Sequence, residues 1–297
     1  MQLAETPLRQ FSADFARDRI AVVALAALVV ILLAAIFAPW ITPQNPYNLA
    51  QLDIMDSKLA PGIKATAGFT LWMGSDEQGR DMFSAILYGL RISLGVGVLS
   101  TFFALAIGMA IGLVSAYAGG WLDNLIMRLV DLQLSFPSIL IALVLLAVLG
   151  QGVDKIVIAL ITVQWAYYAR TVRGAALAER RKEYVDAARV MAFSDTRIVF
   201  RHILPNVLPP LIVVATVQVA HAIALEATLS FLGLGMPITS PSLGLLISNG
   251  FAHLLSGRYW ISFFPGVALL VTIVAINLVG DRLRDVLNPR LASHYGA

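Results

Sequence analysis

The chain has 297 residues, of which 59% are apolar and only 13% charged, against roughly one half and one quarter in a soluble domain. That balance excludes an ordinary water-soluble fold and points to a bilayer. The absence of cysteine excludes disulfide and thiolate–metal chemistry, and a net charge of +3 gives no reason to expect a nucleic-acid partner.

Residues 1–19 form a polar tail carrying Arg9, Arg17 and Arg19. The run Ile20 to Ala38 has no polar side chain and as a helix would reach about 28 Å, enough to cross a membrane. It is too long for a signal-peptide core and lacks a small-residue cleavage site. A retained first transmembrane helix is therefore expected over residues 20–40. The loop 41–91 opens on Pro43 and Pro46 and closes with LWMGSDEQGRDMF. Gly74, Gly79 and the pair Asp76 and Asp81 predict tight turns capping a short surface helix from about Met82. The two carboxylates lack the dense set of further ligands a metal ion needs, so turn capping is expected and no metal site.

Further apolar runs at Ile92–Ala118, Leu125–Leu149, Ile156–Ala169, Val207–Leu232 and Phe263–Val279 complete six expected spans. In the second, Ala104, Gly108, Gly112 and Ala116 recur every four residues, which lets another helix approach closely. That helix could belong to this chain or to another subunit. The third begins with Asp123, Arg128, Asp131 and Gln133 ahead of Phe136-Pro137. Those groups lie either among lipid headgroups or against a water-filled cavity, and the proline predicts a kink. The fourth closes with Gln164, Trp165, Tyr167 and Tyr168, an interfacial aromatic belt. In the fifth, Gln218 and His221 share a face, whereas Glu226 is rotated away near the far end. Asp131, Gln133, Gln164, Gln218 and His221 are the pathway-lining candidates. Glu226, Asp76, Arg80 and Asp81 are expected to be structural. A short surface helix is expected between Pro241 and Tyr259, and residues 281–297 form a C-terminal tail.

Charge asymmetry orients the spans. An inside N-terminus puts the tail arginines, Arg128, the basic residues from Arg170 to Arg201, and Arg282, Arg284 and Arg290 on the cytoplasmic side. Only Lys58, Lys64, Arg80, Arg91, Lys155 and Arg258 remain outside. Both termini are then cytoplasmic, and so is the polar segment 173–206 inside the core 92–280.

That segment contains EYVDAARVMAFSDTRIVFRHILPN, Glu183 to Asn206, too polar to lie inside a spanning helix. Tyr184, Ala188 and Met191 recur at i, i+4 and i+7 and predict an apolar stripe on one short helix. A second helix is expected from Thr196 to Leu204, capped by Ser194 or Asp195 and ended by Pro205. Ile198, Val199, His202 and Ile203 would share one of its sides. Two short amphipathic helices joined by a tight turn suit the docking of another protein.

This segment resembles the EAA loop of permease subunits of bacterial ABC importers, most closely the peptide permeases, with Asp186-Ala187-Ala188 at the triplet and Arg201 to Asn206 at its close. The match extends to Gly74-Ser75-Asp76 and Gly79-Arg80-Asp81, to EATLSFLGLG from Glu226, and to the exit GDRLRDVLNPRL, with Asn288 where the family often has Asp. It covers about Leu71 to Leu291. Two departures stand out in the loop: Asp186 replaces the usual Glu, and Ala192 the usual Gly. If residue 192 needs positive φ, Ala costs about 1 kcal/mol there; otherwise the first helix runs on and the turn slides to Phe193-Ser194-Asp195.

The resemblance implies an all-α protein of the type I importer permease fold, a second permease of the dipeptide and oligopeptide type in the bacterial inner membrane. Its implied partners are a related permease subunit, two ABC ATPase subunits and a periplasmic or lipid-anchored solute-binding protein. Docking to the ATPases would use Glu183, Tyr184, Asp186, Ala187, Ala188 and Arg189, with Ala192, Phe193, Ser194, Arg201, His202 and Pro205 bracing the geometry. No phosphate-binding loop or other catalytic motif occurs in the chain, so the chain itself is expected to be no enzyme and to hold no cofactor. ATP and magnesium belong to the partner subunits. Nickel chelates, glutathione or opine-like solutes are alternatives to peptides. An ion-coupled secondary transporter and a membrane enzyme are the other classes, and neither finds its coupling pair or nucleophile in the sequence.

Overall fold

The computed structural model describes residues 7–287; Asn288, Arg290 and Leu291 lie outside them. Every regular element there is helical. A short α1 (Pro7–Ala16) leads into α2 (Arg19–Ile36), whose start is fixed by Asp18 accepting hydrogen bonds from Ile20 N at 2.9 Å and Ala21 N at 3.3 Å. A single turn, α3 (Ala38–Ile41), precedes the outer loop.

The next helix, α4, runs unbroken from Met82 to Ala118. The expected surface helix and second span are thus one 37-residue rod, because Asp81 caps it at Ser84 N, 2.8 Å, and nothing after that interrupts the backbone ladder. Helices α5 (Gly120–Leu134) and α6 (Ser138–Leu149) meet at 86°. The expected kink at Phe136-Pro137 is therefore a full break, since Pro137 has no N–H to continue the helix.

The 28-residue α7 (Val153–Arg180) occupies the centre of the bundle. It runs parallel to α4 in closest contact. A Cβ on Gly108 would lie 2.5 Å from Trp165 O and Tyr168 Cβ, and one on Gly112 would lie 2.6 Å from Ala169 O. The small-residue stripe of α4 therefore serves packing within the chain. Helix α5 returns antiparallel along α7, Asp123 opposite Arg173 and Val130 against Ala166 and Ala169, while Ala142 and Leu146 of α6 pack by Ile156 and Leu160.

Two short helices, α8 (Glu183–Val190) and α9 (Asp195–Ile198), then lead into a π turn, Val199–Ile203, and α10 (Leu204–Phe231). Helix α11 (Leu243–Phe251) packs on the last element, α12 (Trp260–Leu287). Helices α2, α4, α10, and α12 are long and apolar enough to cross a membrane, and the bent α5–α6 pair makes a fifth candidate. Helix α7 falls below that mark. Ile156, Ala159, Leu160, Ala166 and Ala169 on it are fully buried against protein, so it needs less apolar surface than a lipid-facing helix.

Candidate functional site

The α8–α9 segment lies at the end of the bundle shared by α1, the α4–α5 junction and the C-terminal half of α7. Helix α8 has two faces. Val185 and Ala188 are fully buried in a cluster with Leu113, Val172, Ile198 and Val207, a gain of about 1.5–3 kcal/mol for the valine alone. Glu183, Asp186, Ala187, Arg189 and Val190 face outward. The expected stripe is shifted by one position: Tyr184 is half-buried and Met191 is 60% exposed. Neighbours on α4, α7 and α10 select the Val185–Ala188 side, which periodicity through Ala188 alone leaves ambiguous. Arg189 Nη1 pairs with Asp186 Oδ1 at 3.0 Å on the exposed surface.

Helix α8 ends at a left-handed residue, Ala192, with φ of 54°. Phe193 N donates to Ala188 O at 3.1 Å and Ala192 N to Arg189 O at 2.9 Å, the paired bonds of a Schellman turn. Of the two geometries open to the sequence, the structure has the strained one. Ser194 takes the N-cap backbone position of α9 without a side-chain bond, and Asp195 instead accepts a hydrogen bond from the Tyr117 hydroxyl.

The second helix does not end at Pro205. Leu204 N donates to Val199 O across the wider π turn, and Pro205 enters the first turn of α10, where a missing N–H is harmless. Ile198 and Ile203 are buried while Arg201 is exposed. Arg197 lies 4.1 Å over the Phe193 ring, and Phe193 stacks on His202 with centroids 5.8 Å apart. Tyr184 ties the segment together. Its hydroxyl donates to Glu179 Oε2 at 2.6 Å and accepts from Asn206 Nδ2 at 3.3 Å. Burial, then the Glu179 carboxylate, pushes this phenol up to about 12.

The pathway-lining candidates do not converge. Gln164 is buried in the α4–α7 packing with both amide atoms unpartnered. Asp131 is paired with Arg170, and Gln133 donates to Thr162 O. Gln218 is half-buried and His221 exposed on α10. Sequence reasoning missed the partner of Asp123: Arg173 reaches it bidentately at 2.5 and 2.6 Å, and Ser115 donates to the same carboxylate at 2.5 Å. Two opposite charges fifty positions apart carry no local signal.

At the other end, Asp76 accepts from Gln78 N and Arg80 N at 2.8 and 2.9 Å. Arg80 is fully buried, 3.6 Å from Asp76 and donating to Ile238 O at 2.6 Å. Burial pushes the Asp76 carboxyl above its ordinary range, against the pull of Arg80. Asp81 caps α4. Gly79, at φ of 75°, is pressed so close to Asp53 that a Cβ would meet Asp53 O at 2.1 Å. Glu226 is fully buried on α10 and accepts from Ser93 and Ser230. Among the described residues no cluster of three or more potential metal ligands occurs.

Comparison with known proteins matches residues 108–293 to the family described as binding-protein-dependent transport system inner membrane component. Residues 6–61 match the N-terminal transmembrane domain of oligopeptide transport permease C. A Brucella abortus protein named as a peptide transport system permease is 39% identical over 289 residues, 97% of this chain and 94% of that protein. The dipeptide transport system permease protein DppC of Alkalihalophilus pseudofirmus is 36% identical, covering 98% of this chain and 92% of its own length. The glutathione transport system permease protein GsiD of Escherichia coli is 36% identical over 96% of this chain and 91% of its own. Among solved structures, the inward-facing MetNI methionine ABC transporter shares the fold with a TM-score of 0.57 at 22% identity, over 69% of this chain and 97% of that one.

Proposed function

The chain belongs to the family of binding-protein-dependent transport system inner membrane components, as a permease of a peptide-type ABC importer, and from that premise we propose that it is the second permease of a di- or oligopeptide importer driven through the α8–α9 segment. It crosses the inner membrane six times with both termini cytoplasmic. A related permease completes the pathway, two ATPases that bind ATP and magnesium dock below, and a solute-binding protein delivers substrate from outside.

The observation carrying this reading is the two-faced packing of α8, Val185 and Ala188 buried while Glu183, Asp186, Ala187 and Val190 face outward. A docking helix transmits a stroke only if rigidly anchored. Here Tyr184 links α8 to Glu179 of α7 and Asn206 of α10, and the π turn runs directly into α10. Closure of the ATPases would carry α8, and with it α7 and α10, between inward-open and outward-open states. His221, exposed on α10, and the half-buried Gln218 one turn before it would line the pathway once the second permease is in place. Asp131 is exposed but held by Arg170, Gln133 is half-buried, and Gln164, buried within the bundle, could contribute only after a rearrangement. Glutathione is a second substrate reading, supported by the relative that carries that name.

The chain has no native cysteine, so Ala187→Cys introduces a single thiol. That variant should cross-link to a cysteine in the ATPase groove, and Asp186→Ala with Arg189→Ala should cut ATP-driven uptake about tenfold in assembled complexes, a loss of about 1.4 kcal/mol of coupling. An assembled complex with full uptake and no cross-link would overturn the assignment of this loop.

A further inference from the structure

We propose that Glu226 is a proton-binding site, held as a neutral carboxylic acid that joins α4, α10 and the start of α11 at the outer end of the bundle. Glu226 is fully buried. One oxygen accepts from Ser93 of α4 at 2.9 Å and the other from Ser230, one turn along α10, at 2.7 Å. A third hydroxyl, Ser242 at the N-cap of α11, faces the same carboxyl. It is fully buried, and its oxygen has no hydrogen-bond partner. The backbone around this group is closely packed. A Cβ on Gly244 would meet Ala227 O at 2.2 Å, and one on Gly235 would meet Ser230 Oγ at 2.1 Å.

Among the described residues no Lys, Arg or His nitrogen pairs with Glu226. Ionisable groups of the outer loop and of the start of α4 have other partners. From the outer loop, Tyr47 donates to Tyr88 O at 2.9 Å, and Arg80 belongs to Asp76. On α4, the Arg91 guanidinium lies over the Tyr88 ring at 5.6 Å. A bare carboxylate in such a place is strongly disfavoured, and a proton removes the charge. As an acid the carboxyl can also donate a hydrogen bond to the Ser242 oxygen, which a carboxylate cannot do. A metal cation fits worse. It would need about six to eight oxygen ligands, whereas Glu226 supplies one carboxylate and, among the described residues, no cluster of three or more potential metal ligands occurs.

The test is difference infrared spectroscopy on the purified full-length chain in its complex, wild type against Glu226→Gln. A carboxylic-acid C=O band at neutral pH, absent from E226Q, is expected. Carboxylate bands in its place would overturn the proposal. Ser242→Ala should shift that acid band to higher frequency with the fold intact, and an unchanged band would overturn the assignment of Ser242 as acceptor. The melting temperature of E226Q should stay within a few degrees of wild type. A sodium- or potassium-dependent rise in melting temperature, seen in wild type and lost in E226Q, would make this a cation site and overturn the proton.

Discussion

The Tyr184 phenol donates a 2.6 Å hydrogen bond to Glu179 Oε2, so α8 is anchored to the end of α7 before any partner protein touches it. Removing the hydroxyl in Tyr184→Phe should cost about 1 kcal/mol, read as a drop in melting temperature, and should lower transport more than binding of the ATPase. The phenol is raised to about 12, above its ordinary value near 10. Its contribution is therefore fully present below about pH 10 and lost as pH rises through about 12. A melting-temperature difference between wild type and Y184F should hold constant from neutral pH up to that window and close within it.

Ala192 supplies the second prediction. At φ of 54° an alanine carries strain that glycine does not, about 1 kcal/mol. Ala192→Gly should stabilise the segment by up to about that amount, and the β-branched Ala192→Val should destabilise it by more. Hydrogen exchange of the Phe193 amide, which bonds Ala188 O, measures both directly.

Much of this arrangement is written in local pattern. The unbroken run after Asp18 gives α2, the small residues at four-residue spacing give the closest helix contact, and the polar loop after Arg180 gives the α8–α9 segment. What escapes local pattern depends on neighbours. The apolar run counted from Ile92 separates a surface helix at Met82 from the second span, yet α4 buries Tyr88 and Gly89 against the rest of the bundle and continues. The stripe through Ala188 could include Met191 or Val185, and only the packing of α4, α7 and α10 decides. Gln164 reads as a pathway residue because it is polar, but it sits on the side of α7 that the bundle encloses.

Glycines of α4 offer a contrast within one helix. Gly112→Val should disrupt the α4–α7 contact, because even a Cβ would sit 2.6 Å from Ala169 O. Overpacking of this kind costs about 1–3 kcal/mol or more. Gly95, where an added Cβ would have no neighbour within 4 Å, should accept alanine and gain up to about 1 kcal/mol from better helix propensity. Yield and melting temperature of the two variants, purified side by side, check the ranking. Equal behaviour would mean the α4–α7 approach is looser than the structure has it.

Arg80 and Asp76 form a fully buried pair at 3.6 Å, and Arg80 also fastens the outer loop to Ile238. Removing one charge leaves the other uncompensated, so Arg80→Ala should cost about 3–5 kcal/mol. Replacing both, as Asp76→Asn with Arg80→Met, should cost less than R80A alone, because no bare charge remains and the arginine's volume is largely kept. The pH dependence has a definite sign. Burial already raises the Asp76 carboxyl, and Arg80 opposes the rise. Without Arg80 the carboxyl rises further, so the folded state takes up a proton more readily than the unfolded chain. That uptake favours folding below the unfolded carboxylate value, and the benefit is lost as pH climbs through the raised one. R80A should therefore lie closer to wild type in mildly acidic buffer than at neutral pH, and the double variant should show little of this dependence. Melting temperatures of the three proteins across that range separate a buried ion pair from a simple loss of side-chain packing, which would leave the R80A deficit independent of pH.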